Sequence, residues 1–150
     1  MPRSSVSISA AACGLLLLAG TVGPPSAAAA SAEVAAVQVA MRGVGLRPGP
    51  VDGITGPRTR RAVRTFQRRQ HVPADGIAGP RTKRALGRRG RPAFGRRPMR
   101  RGQRGFDVAA LQFLLKARGF DPGGIDGGFG PGTLRAVRAF QRVAGVARDD

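Results

Sequence analysis

Three stretches of the chain spell nearly the same phrase: DGITGPRTRRAV from Asp52 to Val63, DGIAGPRTKRAL from Asp75 to Leu86 and DGGFGPGTLRAV from Asp126 to Val137. A chain that repeats itself folds as repeated units, each covering its own apolar face or its neighbour's. The longer period shows without gaps. Val34 to Gly76 aligns with Val108 to Asp150, an offset of 74, with 21 identities in 43 positions. A second spacing of 23, from Asp52 to Asp75, lies inside the first copy. The sequence is a duplication rather than low-complexity filler.

Each phrase has the chemistry of a turn that launches a helix. Asp-Gly marks the turn at Asp52-Gly53, Asp75-Gly76 and Asp126-Gly127, because glycine enters positive φ cheaply and aspartate bonds nearby amides. Gly56 then suits the N-cap and Pro57 the first helical position, where a missing N–H costs nothing. Thr59, Ala62, Val63 and Phe66 recur at i, i+3, i+4 and i+7 as one apolar stripe, with Arg60, Arg61, Arg64 and Arg68 on the other faces. Val34, Val37, Met41 and Val44 predict an earlier helix ending near Gly45, and Pro80 to Leu86 a short third one stopped by Gly87. The second copy predicts helices over Phe106–Gly119 and Pro131–Val143, then reads GVARDD where a third turn and helix should begin.

The expectation is an all-α fold: a small three-helix bundle, duplicated, with the second copy lacking its third helix. The expected divisions are a signal peptide over 1–32, a first module over 33–87, an Arg/Gly-rich linker over 88–105 and a truncated second module over 106–150. Arg3, an apolar run from Ile8 to Ala19 and small residues up to Ala32 give the signal-peptide layout. Cleavage is placed after Ala32, with the earlier alanines as alternatives. The linker carries eight arginines and no acid and is expected to stay extended and solvated. At about 45 residues, the second module is expected to be the less stable.

Removing 32 of 150 residues leaves 118, with 25 basic side chains (26 less Arg3) against 8 acidic ones, a charge of +17. Such a balance favours anionic polymers. The residue inventory weighs against catalysis. No cysteine follows Cys13 and no serine follows Ser31, which removes the usual nucleophiles. His71 is the single histidine and Glu33 the single glutamate, so neither a zinc site nor a pair of glycosidase carboxylates is expected. No metal, cofactor or enzymatic activity is therefore expected.

Binding candidates remain. Gln38, Gln67, Gln112 and Gln141 sit beside apolar stripe residues, where an amide could bond a sugar acetamido or peptide group, or equally satisfy loop backbone. Thr59 and Thr133 stand in first helical turns, Arg58 beside a helix start, and Phe129 in a turn as the plausible exposed ring. Arg58, Thr59, Gln67, Phe129, Thr133 and Gln141 are the candidate ligand contacts, with the Asp-Gly pairs kept as turn builders.

The stretch VAALQFLLKARGF…GGIDGGFGPGTLRAVRAFQRVAGV resembles the peptidoglycan-binding domain 1 family, small three-helix modules with L-Q, D-G-x-[FY]-G-x-x-T and [AV]-V-x-x-F-Q signatures. The first copy matches at Val37-Gln38, Asp52-Gly53, Gly56, Thr59, Ala62-Val63 and Phe66-Gln67, and again from Asp75 to Leu86. It departs at Thr55, where the family has an aromatic; the second copy keeps one as Phe129. The resemblance implies non-catalytic attachment to bacterial peptidoglycan; the signal-peptide layout implies secretion, and the charge teichoic acid or other anionic polymers as further partners. No specific nucleic acid and no transmembrane segment in the mature chain are expected. The rival readings are an accessory piece of a larger wall hydrolase and a cationic binder of nucleic acid or anionic surfaces.

Overall fold

A computed structural model of the protein describes residues 7–8 and 31–146. Most of the expected signal peptide and the Asp149-Asp150 end of the second repeat lie outside the described residues. In chain order the elements are β1 (Ser7–Ile8), α1 (Ala32–Gly43), α2 (Pro57–Arg69), α3 (Pro80–Ala85), a 3-10 turn (Gly87–Gly90), β2 (Met99–Arg100), α4 (Phe106–Ala117) and α5 (Pro131–Ala144). β1 and β2 pair antiparallel, Ser7 opposite Arg100 and Ile8 opposite Met99. The fold is all-α in its working parts, and the helices expected over Pro80–Leu86, Phe106–Gly119 and Pro131–Val143 form within two residues of those bounds.

The helix starts follow from the repeated phrase. Gly56, Gly79 and Gly130 cap α2, α3 and α5 in extended conformation, each followed by proline at the first helical position. Their carbonyls accept the first helical bonds, from Arg60, Lys83 and Leu134, at 3.0, 2.9 and 3.0 Å. At the far end of α5, Gly145 takes the left-handed conformation that closes a helix without a Cβ clash.

Two apolar cores result. The first gathers Val37, Met41, Val63, Phe66 and Leu86, and also takes Phe106, Ala109 and Ala110 from the second repeat. The second gathers Leu111, Leu115, Val137 and Phe140, with Met99 from between the repeats and Phe129 from the turn. Phe120 meets Phe140 edge to face, centroids 5.7 Å apart.

The repeats meet through α1 and α4, which are the same helix of each copy. Small residues line the seam: Ala36 and Ala40 on one side, Ala109 and Ala110 on the other, all nearly excluded from solvent. Close approach of two helices needs such side chains. The contact is reciprocal, as in a two-fold dimer. A Cβ built on Gly53 would lie 2.7 Å from Cζ of Phe113, and one built on Gly127 would lie 3.5 Å from Cγ1 of Val39.

The segment between the repeats departs from the expected solvated linker. Gly90 and Met99 are buried, and Arg97 bonds the Asp107 carboxylate, with Nε to Oδ2 at 2.7 Å. Met99 and the half-buried Phe94 anchor the segment apolarly, and a buried carboxylate at the start of α4 anchors one arginine. These few contacts outweigh the repulsion among the remaining arginines.

Candidate functional site

The repeated phrase encodes one hydrogen-bonded device, built three times among the described residues. Gln38 on α1 donates through Nε2 to Asp52 Oδ1 at 2.7 Å, to the Ile54 carbonyl at 3.1 Å and to Thr59 Oγ1 at 3.1 Å. Its Oε1 accepts the Gly53 N–H at 3.0 Å. Gln67 on α2 holds Asp75, Ile77, Thr82 and Gly76 in the same way, at 2.7, 3.0, 3.0 and 2.9 Å. Gln112 on α4 does so for Asp126, Gly128, Thr133 and Gly127, at 2.9, 2.9, 3.0 and 2.8 Å. One amide thus ties a turn to the helix before it and to the first turn of the helix after it.

The geometry explains each residue type. The aspartate accepts a second bond from the N–H two residues on: Ile54 at 2.9 Å, Ile77 at 2.8 Å and Gly128 at 2.8 Å. The glycine must take positive φ, 73° at Gly53 and Gly127 and 80° at Gly76, to aim its N–H at the glutamine. Donated hydrogen bonds hold the aspartates below the ordinary value of 3.8. For Asp52 the Gln38 amide leads and the Ile54 N–H follows; for Asp75 the Ile77 N–H leads and the Gln67 amide follows. Burial pushes Asp126 up, yet the Gln112 amide, the Gly128 N–H and nearby Arg104 together bring it down.

The six candidate contacts separate on this frame. Thr59, Gln67 and Thr133 are buried and spend their polar atoms inside the clamps. The expectation of an exposed ring at Phe129 is corrected: it is 1% exposed and part of the second core. Its N–H donates to the Gln103 carbonyl at 2.8 Å and its carbonyl accepts the Gly102 N–H at 2.9 Å, so the inter-repeat segment lies across it. Arg58 is exposed. Gln141 is as buried as Gln67, and neither Nε2 nor Oε1 has a hydrogen-bond partner among the described residues.

What the turns offer to solvent is apolar and cationic. Ile54 and Ile77 are 40% and 67% exposed, and Ile77 edges a groove of about 330 Å³ floored by Val34 and Val37. Lys83 stands at its rim, ion-paired with Glu33. Gln38 and Gln112, weighed as candidates on the sequence but left out of the six contacts, carry the same Gln-to-Asp spacing of 14 and Gln-to-Thr spacing of 21. Among the described residues, no cluster of three or more His, Cys, Asp or Glu is placed to hold a metal ion, and no helix is long and apolar enough to cross a membrane.

Comparison with known proteins agrees with the internal repeat. Two curated spore cortex-lytic enzymes of Bacillus cereus are each 46% identical to this chain over 57 residues, 38% of it. That stretch is 22% of each relative, so the chain matches about a fifth of their length. No solved structure matches. The family model described as "Putative peptidoglycan binding domain" matches twice, over residues 30–86 and 104–149, and the chain belongs to that family.

Proposed function

We propose that the protein is a secreted, non-catalytic component of the bacterial cell wall that attaches to peptidoglycan through two modules, 33–87 and 106–150. The observation that carries this reading is the family match in both halves of the chain. The residue inventory is in keeping with it: one histidine, one glutamate, and neither serine nor cysteine beyond Ser31. Ile54, Ile77 and Arg58, exposed on the clamped turns, are candidate contacts, and the net charge of +18 favours teichoic acid and other anionic polymers as additional partners.

A second reading is favoured by the cortex-lytic relatives, of which this chain matches only 22%. On that reading the modules serve as the wall anchor of a hydrolase whose catalytic part is elsewhere. Sedimentation of the full chain with purified sacculi, stripped of teichoic acid and at physiological salt, tests attachment. Release of soluble fragments from the same sacculi tests hydrolysis. Sedimentation without release is the expected result; failure to sediment refutes the binding reading.

A further inference from the structure

The seam between the repeats opens on one side into a cleft of about 590 Å³. Its floor is Ala36, Val39, Ala40 and Ala109, and Arg88, Arg89 and Arg104 stand on its rim. A second cleft of about 750 Å³ shares Arg88 and Arg104 as walls and adds Arg84 and Arg91. Together they form one trough, crossing from the first repeat to the second.

Three features mark the trough as built rather than as incidental surface charge. First, arginines are laid over glycines. A Cβ on Gly43 would come within 2.9 Å of Arg89 Nε, and one on Gly128 within 3.4 Å of Arg104 Cζ. Second, the trough is short of carboxylates. Among the described residues the ion pairs are Lys83–Glu33 and Arg97–Asp107, and Arg88, Arg89 and Arg91 make no side-chain hydrogen bond or ion pair. Asp126 reaches the same cleft, but its Oδ1 is held by Gln112 and the Gly128 N–H. Third, the seam is asymmetric where it opens. Val39 faces Gly127 here, whereas the larger Phe113 takes the equivalent place against Gly53 on the other side.

Guanidiniums around a floor of methyl groups, Arg88 and Arg89 without a side-chain partner among the described residues and Arg104 near Asp126, match one kind of ligand. Arginine binds carboxylates through paired N–H groups, and a cleft between folded units that mixes apolar lining with a few convergent polar groups is the usual form of a binding site. We infer that this trough takes the carboxylate-bearing peptide stem of peptidoglycan. The carboxylate rests among Arg88, Arg89 and Arg104, and a small aliphatic side chain lies on the alanine floor. This deepens, and rests on, the peptidoglycan reading; it moves the main contact from the turns to the seam.

The test uses the full chain, stripped sacculi, and the same sacculi with their carboxylates converted to amides. Wild type should sediment with intact sacculi and about tenfold less well with amidated ones; R88Q/R89Q/R104Q should lose a similar factor on intact sacculi. Gly43→Ala, which displaces Arg89 without altering charge, should weaken binding in the same direction. Titration of the wild type with N-acetyl-alanyl-alanine, followed by amide shifts at Ala36 and Ala109, needs no variant; the C-terminally amidated peptide should leave them unmoved. Equal sedimentation of amidated and intact sacculi overturns the proposal, as does binding that appears only before stripping, which would assign the trough to phosphate-bearing polymer. If wild type sediments and the triple variant sediments equally, the trough is wrong and the peptidoglycan reading stands. If wild type fails with every sacculus, the peptidoglycan reading fails with it.

Discussion

Phe113 lies against Gly53 as Val39 lies against Gly127, the same pair of positions in each repeat facing across the seam. Gly53 is therefore constrained twice. Its φ of 73° disfavours a side chain, and a Cβ there would meet Phe113 Cζ at 2.7 Å and the Ser31 carbonyl at 2.8 Å. Gly45 has a similar φ of 76° and nothing within 4 Å. Gly45→Ala should cost ~1 kcal/mol and Gly53→Ala ~3 kcal/mol or more, read from denaturant midpoints. Equal costs would mean that the seam yields.

The glutamines offer a sharper comparison. Gln112→Met strands an aspartate, a glycine N–H and a threonine, and should destabilise by ~2–3 kcal/mol. Gln141→Met removes two buried polar atoms that have no hydrogen-bond partner among the described residues, and should be neutral or stabilising. Thermal unfolding of the two variants decides it; a comparable loss at Gln141 would show that its amide is engaged after all.

Acid should act through the turns. Asp52, Asp75 and Asp126 have folded values below the ordinary 3.8, so the stability they lend is present above that pH and is lost as pH falls through the lower folded values. In D52N/D75N/D126N the fall in denaturant midpoint below pH 3.8 should be shallower than in wild type. Parallel curves would place the acid sensitivity outside these three turns.

Arg97 and Asp107 are unequal partners. The carboxylate is 1% exposed and the guanidinium 34%. Arg97→Ala leaves a buried charge with, among the described residues, the Val108 N–H at 3.0 Å as its remaining donor, whereas Asp107→Ala leaves an arginine that water can reach. The first should cost ~2 kcal/mol more than the second, after allowance for the arginine's exposure. A reversed order in chemical denaturation would show that Asp107 acts chiefly as a cap of α4.

The helices were legible because a 3.6-residue stripe and a Gly-Pro start are local signals, sufficient at Pro57, Pro80 and Pro131 alike. The Asp-Gly turns were legible for the same reason. The clamps were only partly so. A glutamine on an apolar stripe shows that its amide needs partners, but those partners come from a turn 14 and a helix 21 residues onward. The seam left almost no linear trace, since alanine packs against helix or solvent with equal ease. Between the repeats, composition misled: eight arginines suggested a solvated tether, while Met99, Phe94 and the Asp107 contact determine its path.

Phe106 begins the second copy of the sequence and is buried in the core of the first. The unit that was duplicated and the unit that folds therefore have different borders. An incision between the copies would expose the alanine face of α1 and leave Phe106 without the residues that surround it. A single module lifted from this chain is half of a joint. A spacer placed between the copies would test whether they melt as one piece, which the shared core predicts.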